Sequence, residues 1–189
     1  MSLRIPLTPE WRSARDAARH AEAFARAALE DPAEDDVLWL SGAAAAGDTD
    51  HARWELRYAR LALAILVAER GSLSDQVGSD AARAIRAALV SDDSVAPEMR
   101  PLAEQQLDER LTAYRGAIDA RGSAIPASEM LGRVLLSFAS DGVRSAGTPL
   151  ARATTILAGY VDDANRHLRD AFGQATLPED LPPSAMPGR

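Results

Sequence analysis

Apolar residues recur three and four positions apart along most of the chain, and no stretch alternates apolar with polar one by one. The pattern therefore predicts helices and no sheet. Thr8 with Pro9 opens a first helix, whose apolar face is carried by Trp11, Ala14, Ala18, Ala21, Phe24, Ala25, Ala28 and Leu29 and which ends near Glu30. Asp31 with Pro32 caps a short second helix through Val37, Leu38 and Leu40 to the alanine run 43–46, closed by Gly47. Asp48 or Thr49 caps a third, which runs to Arg70 with Gly71 as its stop. A fourth spans about Ser74 to Val90, and a fifth spans about Pro97 to Ala120 before Gly122. The fifth is amphipathic, with Leu107, Leu111, Tyr114 and Ile118 on one side and Glu104, Asp108, Arg115 and Asp119 on the other. A sixth carries Met130, Leu131, Val134, Leu135 and Phe138 before Gly142, and a seventh opens at Thr148-Pro149 and presents Leu157, Val161, Ala164, Leu168 and Phe172.

The third helix differs from the rest. Leu61 to Ala68 is apolar nearly all round, and such a helix must be enclosed by others. The fold class that follows is all-α: a compact bundle of about seven helices around a central buried helix at about 50–70, antiparallel wherever connections are short. Residues 1–176 read as a single helical domain. The segment 177–189 holds four prolines and little to bury, which predicts a flexible, disordered tail. Alanine-rich neighbours let helix axes approach toward the short end of the ~8–10 Å range. Together with few aromatics, this leaves little room for a large cofactor, and none is expected.

Composition narrows the partners. At 189 residues the chain is near the size of one domain and buries roughly 70% of its unfolded surface on folding. Cysteine is absent, which excludes disulfides, thiolate zinc sites and thiol nucleophiles and suits a reducing, cytoplasmic setting. Residues 1–20 contain arginines but no continuous apolar stretch, so they do not read as a signal peptide. The run Leu61 to Ala68 is far short of the roughly 20 residues that span a bilayer. All 21 basic residues are arginine, and alanine is the commonest residue, a pairing that GC-rich coding explains without a phosphate site. A net charge of −7 argues against a nucleic-acid partner.

Candidate chemistry centres on helices three and seven. His51, Glu55 and Tyr58 follow spacings of four then three, and Tyr160, Asp163 and His167 follow three then four. Each triplet forms one stripe. Antiparallel packing would bring His51, Glu55, Asp163 and His167 together as a metal site for zinc, iron or manganese. The other account of the same stripes is charge-assisted helix contacts at the edge of the core, and neither helix carries the Glu-x-x-His spacing of carboxylate bundles. A second constellation is the stripe Arg53, Arg57 and Arg60 beside Trp54 and Tyr58. Trp54, Arg57 and Tyr58 present arginine next to aromatics, which suits an anionic or planar ligand, and the same stripe suits a salt-bridged helix face. Glu55, a carboxylate on an enclosed helix, requires a partner, for which an arginine on another helix is the simplest candidate. Arg12, Arg15, Arg19 and Arg26 line helix one and precede the acidic run Glu30, Asp31, Glu34, Asp35 and Asp36, so intrachain pairing is expected there.

Residues 21–42, with Ala21, Phe24, Ala28, Leu29, Asp31, Pro32 and Trp39, resemble the second helix of a tetratricopeptide repeat running into the next. No copy recurs at the ~34-residue period, and an array needs about three repeats. Ser74 to Leu89 resembles a helix-turn-helix with Gly78 at its turn, on a segment without net positive charge. No Gly-rich phosphate loop, Gly-x-Ser-x-Gly elbow or His-Glu-x-x-His motif occurs. The function expected from sequence is a non-enzymatic protein-interaction module that self-associates, a homodimer first, with neither nucleic acid nor membrane as partner. The alternatives are a metal-dependent bundle enzyme built on the two triplets, or a small-ligand-binding regulatory domain with its effector at Trp54, Arg57 and Tyr58.

Overall fold

The computed structural model describes residues 9–71, 74–120, 124–140 and 148–173. Among these it contains seven α-helices and no strand: α1 (Pro9–Ala28), α2 (Glu34–Ala43), α3 (Thr49–Gly71), α4 (Asp75–Ser91), α5 (Arg100–Asp119), α6 (Ala127–Ala139) and α7 (Thr148–Phe172), with one 3₁₀ turn at Pro97–Met99. The expected cap at Thr8, the stops at Gly122 and Gly142 and the tail 177–189 lie outside the described residues, as do the side chains of Trp11 and Arg12.

The helix punctuation is obeyed with local differences. Asp48 is the cap of α3, its Oδ1 accepting the His51 N–H at 2.9 Å. Asp31 caps nothing. The chain enters α2 two residues beyond Pro32, with Ala33 at the N-cap position, and Asp31 points to α3 instead. The alanine run does not stay helical to its end, because α2 stops at Ala43 and the chain reverses through Ala46 and Gly47, both at positive φ. Glycine carries that conformation without a Cβ penalty. Gly78 is not a turn residue. It sits buried inside α4, where a Cβ would meet the α3 backbone at 3.2 Å from the Glu69 Cα. The close approach of α3 and α4 therefore explains that glycine, and Ser74 to Leu89 carries no turn at Gly78.

The central helix is as the hydrophobic pattern requires. α3 packs against each of the other six, and Ala52, Leu56, Ala59, Leu61, Leu63, Ile65, Leu66 and Ala68 are buried along it. Five helices close a ring around it in the order α1, α4, α5, α6, α7 and back to α1, while α2 packs against α3. Alternate reversals set their directions. Glu55 pairs with Arg110 and Glu69 with Arg115, so α5 runs the same way as α3. Arg60 lies over Tyr160, and a Cβ on Gly71 would lie 3.3 Å from Leu168 Cδ2, so α7 also runs parallel to α3. Phe24 of α1 stacks edge-on against Phe172 while Ala28 lies beside Tyr160, so α1 opposes α7. α1 and α4 thus stand side by side and parallel, the one such pair of neighbours in the ring.

Candidate functional site

The acidic run between α1 and α2 lies against the arginine stripe of α3. Arg53 pairs with Glu34 at 2.8 Å, and Arg60 with Glu30 at 3.2 Å. Arg57 approaches Asp31 at 4.0 Å from its Nε, donates to Asp92 Oδ2 at 2.6 Å and to Ser94 Oγ at 2.9 Å. Asp36 meets Arg152 at the start of α7, whose guanidinium also covers the Trp39 ring. Pairing within the chain is therefore extensive, and it joins the acidic run to α3 and α7. Burial of Asp92 opposes its charge, yet bonds from the Ser94 hydroxyl and N–H and from Arg57 outweigh this and hold the carboxyl below its ordinary range.

Trp54, Arg57 and Tyr58 are neighbours, as their spacing predicts. The Arg57 guanidinium lies 4.7 Å from the Trp54 ring centroid, and the two rings are 5.5 Å apart. Arg57 is 6% exposed, and both of its terminal nitrogens are already bonded to Asp92 and Ser94. The arrangement ties the loop after α4 to α3.

Glu55 has the arginine partner that burial demands. Arg110 donates to it from Nη2 at 2.6 Å and from Nε at 3.1 Å, a two-pronged pair in which both residues are buried. The Phe138 ring lies 4.3 Å and the Tyr58 ring 5.4 Å from the Arg110 guanidinium. Arg110 itself is missed when α5 is read as a two-sided helix. It falls between Leu107 and Tyr114 on the apolar stripe, and that position was the signal.

The four metal-ligand candidates are not brought together. His51 directs Nε2 to the Phe138 carbonyl at 3.2 Å, and Glu55 faces Arg110. Asp163 pairs with Arg166 one turn along α7, and His167 lines a small enclosed gap with Arg60 and Tyr160. Among the described residues no group of three or more His, Asp or Glu converges as a metal cage. Helix direction keeps the two stripes apart: four reversals separate α3 from α7, so the helices run parallel, and the second stripe lies beside Arg60 and Ala64 instead of beside His51.

Two concave surfaces stand apart from these ion pairs. The larger runs along α1 and α4, an open groove of about 1340 Å³. Its walls are largely alanine, with Ala14, Ala18, Ala21 and Ala25 on α1 and Ala84, Ala87 and Ala88 on α4, and its rim carries Glu22, Arg26, Asp80 and Arg83. The second is a cavity of about 500 Å³ between α3, α6 and α7, floored by Leu63, Leu66, Leu131 and Leu157. Comparison with known protein families, with individual curated proteins and with solved structures finds no match for the chain. No helix among the described residues is long and apolar enough to cross a membrane.

Proposed function

We propose that this chain is a helical interaction module that self-associates through the α1–α4 face as a homodimer. The observation that carries the reading is the groove itself, where two parallel helices turn alanines outward at Ala14, Ala18 and Ala87. Among the described residues nothing fills the groove from within, and its alanine walls let a partner helix approach closely. The rim supports a second copy as occupant. Glu22, Arg26, Asp80 and Arg83 sum to zero charge on a chain of net −7, so two copies avoid mutual repulsion on this face. Asp80 and Arg83 pair with each other at 2.9 Å, and a two-fold axis would set Glu22 of one copy against Arg26 of the other. The face is two helices wide and about 24 Å long. Such an area lies at the small end of specific interfaces, so the dimer is expected to be weak, in the micromolar range. A cytoplasmic setting suits this reading, given a cysteine-free chain.

Sedimentation equilibrium across about 1 to 500 μM tests it, with Ala18→Glu and Ala87→Glu as the variants. Both residues are exposed in the single chain, so folding is retained. Dimerisation of the parent, weakened about tenfold or more by either glutamate, supports the proposal. A parent that stays monomeric throughout, or a dimer indifferent to both changes, overturns it.

A further inference from the structure

From the cavity between α3, α6 and α7 we infer a binding site for a small hydrophobic amine. Its volume of about 500 Å³ falls within the usual span of ligand pockets, ~300–1,000 Å³. Its two ends differ in chemistry because α3 and α7 run parallel. Leu63, Leu131 and Leu157 lie toward one end, with Thr154, whose hydroxyl donates to the Leu150 carbonyl at 2.9 Å and is thereby withdrawn from the cavity. Arg70, Asp162 and Asn165 lie toward the other end. The apolar end is suited to a short alkyl or aryl group, and the polar end fixes the class of head group.

Three commitments at the polar end decide its charge. Arg70 is paired with Asp119 of α5, so its charge is already met. Asn165 uses its amide N–H on the Val161 carbonyl at 2.9 Å, which leaves its Oδ1 as an acceptor. Asp162 makes no hydrogen bond or ion pair among the described residues, whereas its neighbour Asp163 is paired with Arg166. Among the described residues, and besides the Ser128 hydroxyl, which can donate or accept, what remains is one negative charge and one neutral acceptor at the mouth of an apolar cavity. An ammonium supplies the matching charge and donors for both, and a carboxylate head of the same size would face Asp162 with like charge. The inference is independent of the self-association reading, since the cavity lies on α3, α6 and α7 and the groove on α1 and α4.

Three probes with one eight-carbon tail separate tail from head: octylamine, octanol and octanoate, titrated below their micelle-forming concentrations into the full chain by calorimetry at pH 7. Octylamine is expected to bind most tightly, by about two- to fivefold over octanol, the size of one solvent-exposed charge pair. Octanoate is expected to be weakest. Asp162→Asn should erase the preference of amine over alcohol while leaving the alcohol unchanged, and Ala158→Phe, at an exposed position of the cavity wall, should weaken all three. Equal binding of amine and carboxylate, an amine preference that survives Asp162→Asn, or no binding of octylamine overturns the inference. Circular dichroism of each variant against the parent confirms that the helices are retained. A variant that has lost them is replaced by Ala158→Leu or Asp162→Ser, read by the same criteria.

Discussion

The polar half of α3 and the α1–α4 face are opposites. The first gathers Glu55, Arg57, Arg60 and Arg110 with aromatic rings around them, and looks chemical. Each of those charges has a counter-charge within the fold: Arg110 for Glu55, Asp92 for Arg57, Glu30 for Arg60. The second face is mostly alanine and looks inert, yet it is open along much of two helices. Dense charge here ties α3 to its neighbours, and the surface left open is the one with least chemistry on it. A charged cluster whose charges cancel within the fold ties helices together and leaves no charge over for a ligand.

The comparison is tested most severely at Arg110. Arg110→Met leaves Glu55 buried with its counter-charge gone, and is expected to cost about 3–5 kcal/mol in urea-induced unfolding. Restoring neutrality with Glu55→Leu in the same chain should return stability to within about 1 kcal/mol of the parent or above it. Ala18→Glu and Ala87→Glu, on the open face, are expected to change unfolding by less than about 0.5 kcal/mol. If Arg110→Met is as mild as those two, the ion pair is not what organises α3, α5 and α6.

Helix contacts give a second contrast, of intermediate size. A Cβ on Gly132 would come within 2.8 Å of Thr154 Oγ1 and 3.2 Å of the Thr154 backbone nitrogen, so α6 and α7 touch there through the absence of a side chain. A Cβ on Gly159 of α7 would meet nothing within 4 Å among the described residues. Gly132→Ala is expected to destabilise by about 1–2 kcal/mol, because overpacking outweighs the gain in helix propensity. Gly159→Ala should stabilise by up to about 1 kcal/mol, since propensity acts there alone. Thermal unfolding of the two variants side by side reads both signs, and a common sign would mean that the α6–α7 contact is looser than Gly132 implies.

How far the sequence could be read follows from these same residues. Helix periodicity and the apolar run 61–68 sufficed for seven helices and for α3 at the centre, because burial of an all-apolar helix leaves one arrangement. The demand of Glu55 for a cation was legible too, since it rests on burial alone. Relative helix direction was not. Whether His51 meets His167 depends on the number of reversals between α3 and α7, and spacing within a helix is silent about that. That the acidic run at 30–36 pairs within the chain was legible from its charge, but its partners Arg53 and Arg60 were not, because the path of the chain across α3 sets them. The two concave surfaces left no mark either, because a cavity is a property of three helices together and no residue type announces it.

The smallest effect concerns the tyrosines. Burial pushes the hydroxyls of Tyr58, Tyr114 and Tyr160 above their ordinary value, most firmly for Tyr114 within the core and also strongly for Tyr160. A raised value means that the unfolded chain loses these protons first, near pH 10, so the native state is favoured fully below that pH and loses ground as pH rises above it. The composition makes this limb unusually clean. The chain has no lysine and no cysteine, so in the unfolded state its three tyrosines are the side chains that titrate between about pH 9 and 11.5. Tyr160→Phe removes one of the three and, with it, a buried hydroxyl that has no hydrogen-bond partner among the described residues. Between pH 10 and 10.5 the variant should lose about 0.4 kcal/mol less than the parent in urea-induced unfolding. Parallel curves for parent and variant would mean that the Tyr160 hydroxyl titrates in the folded chain as it does in water, and that the α1–α3–α7 contact around it is open to solvent.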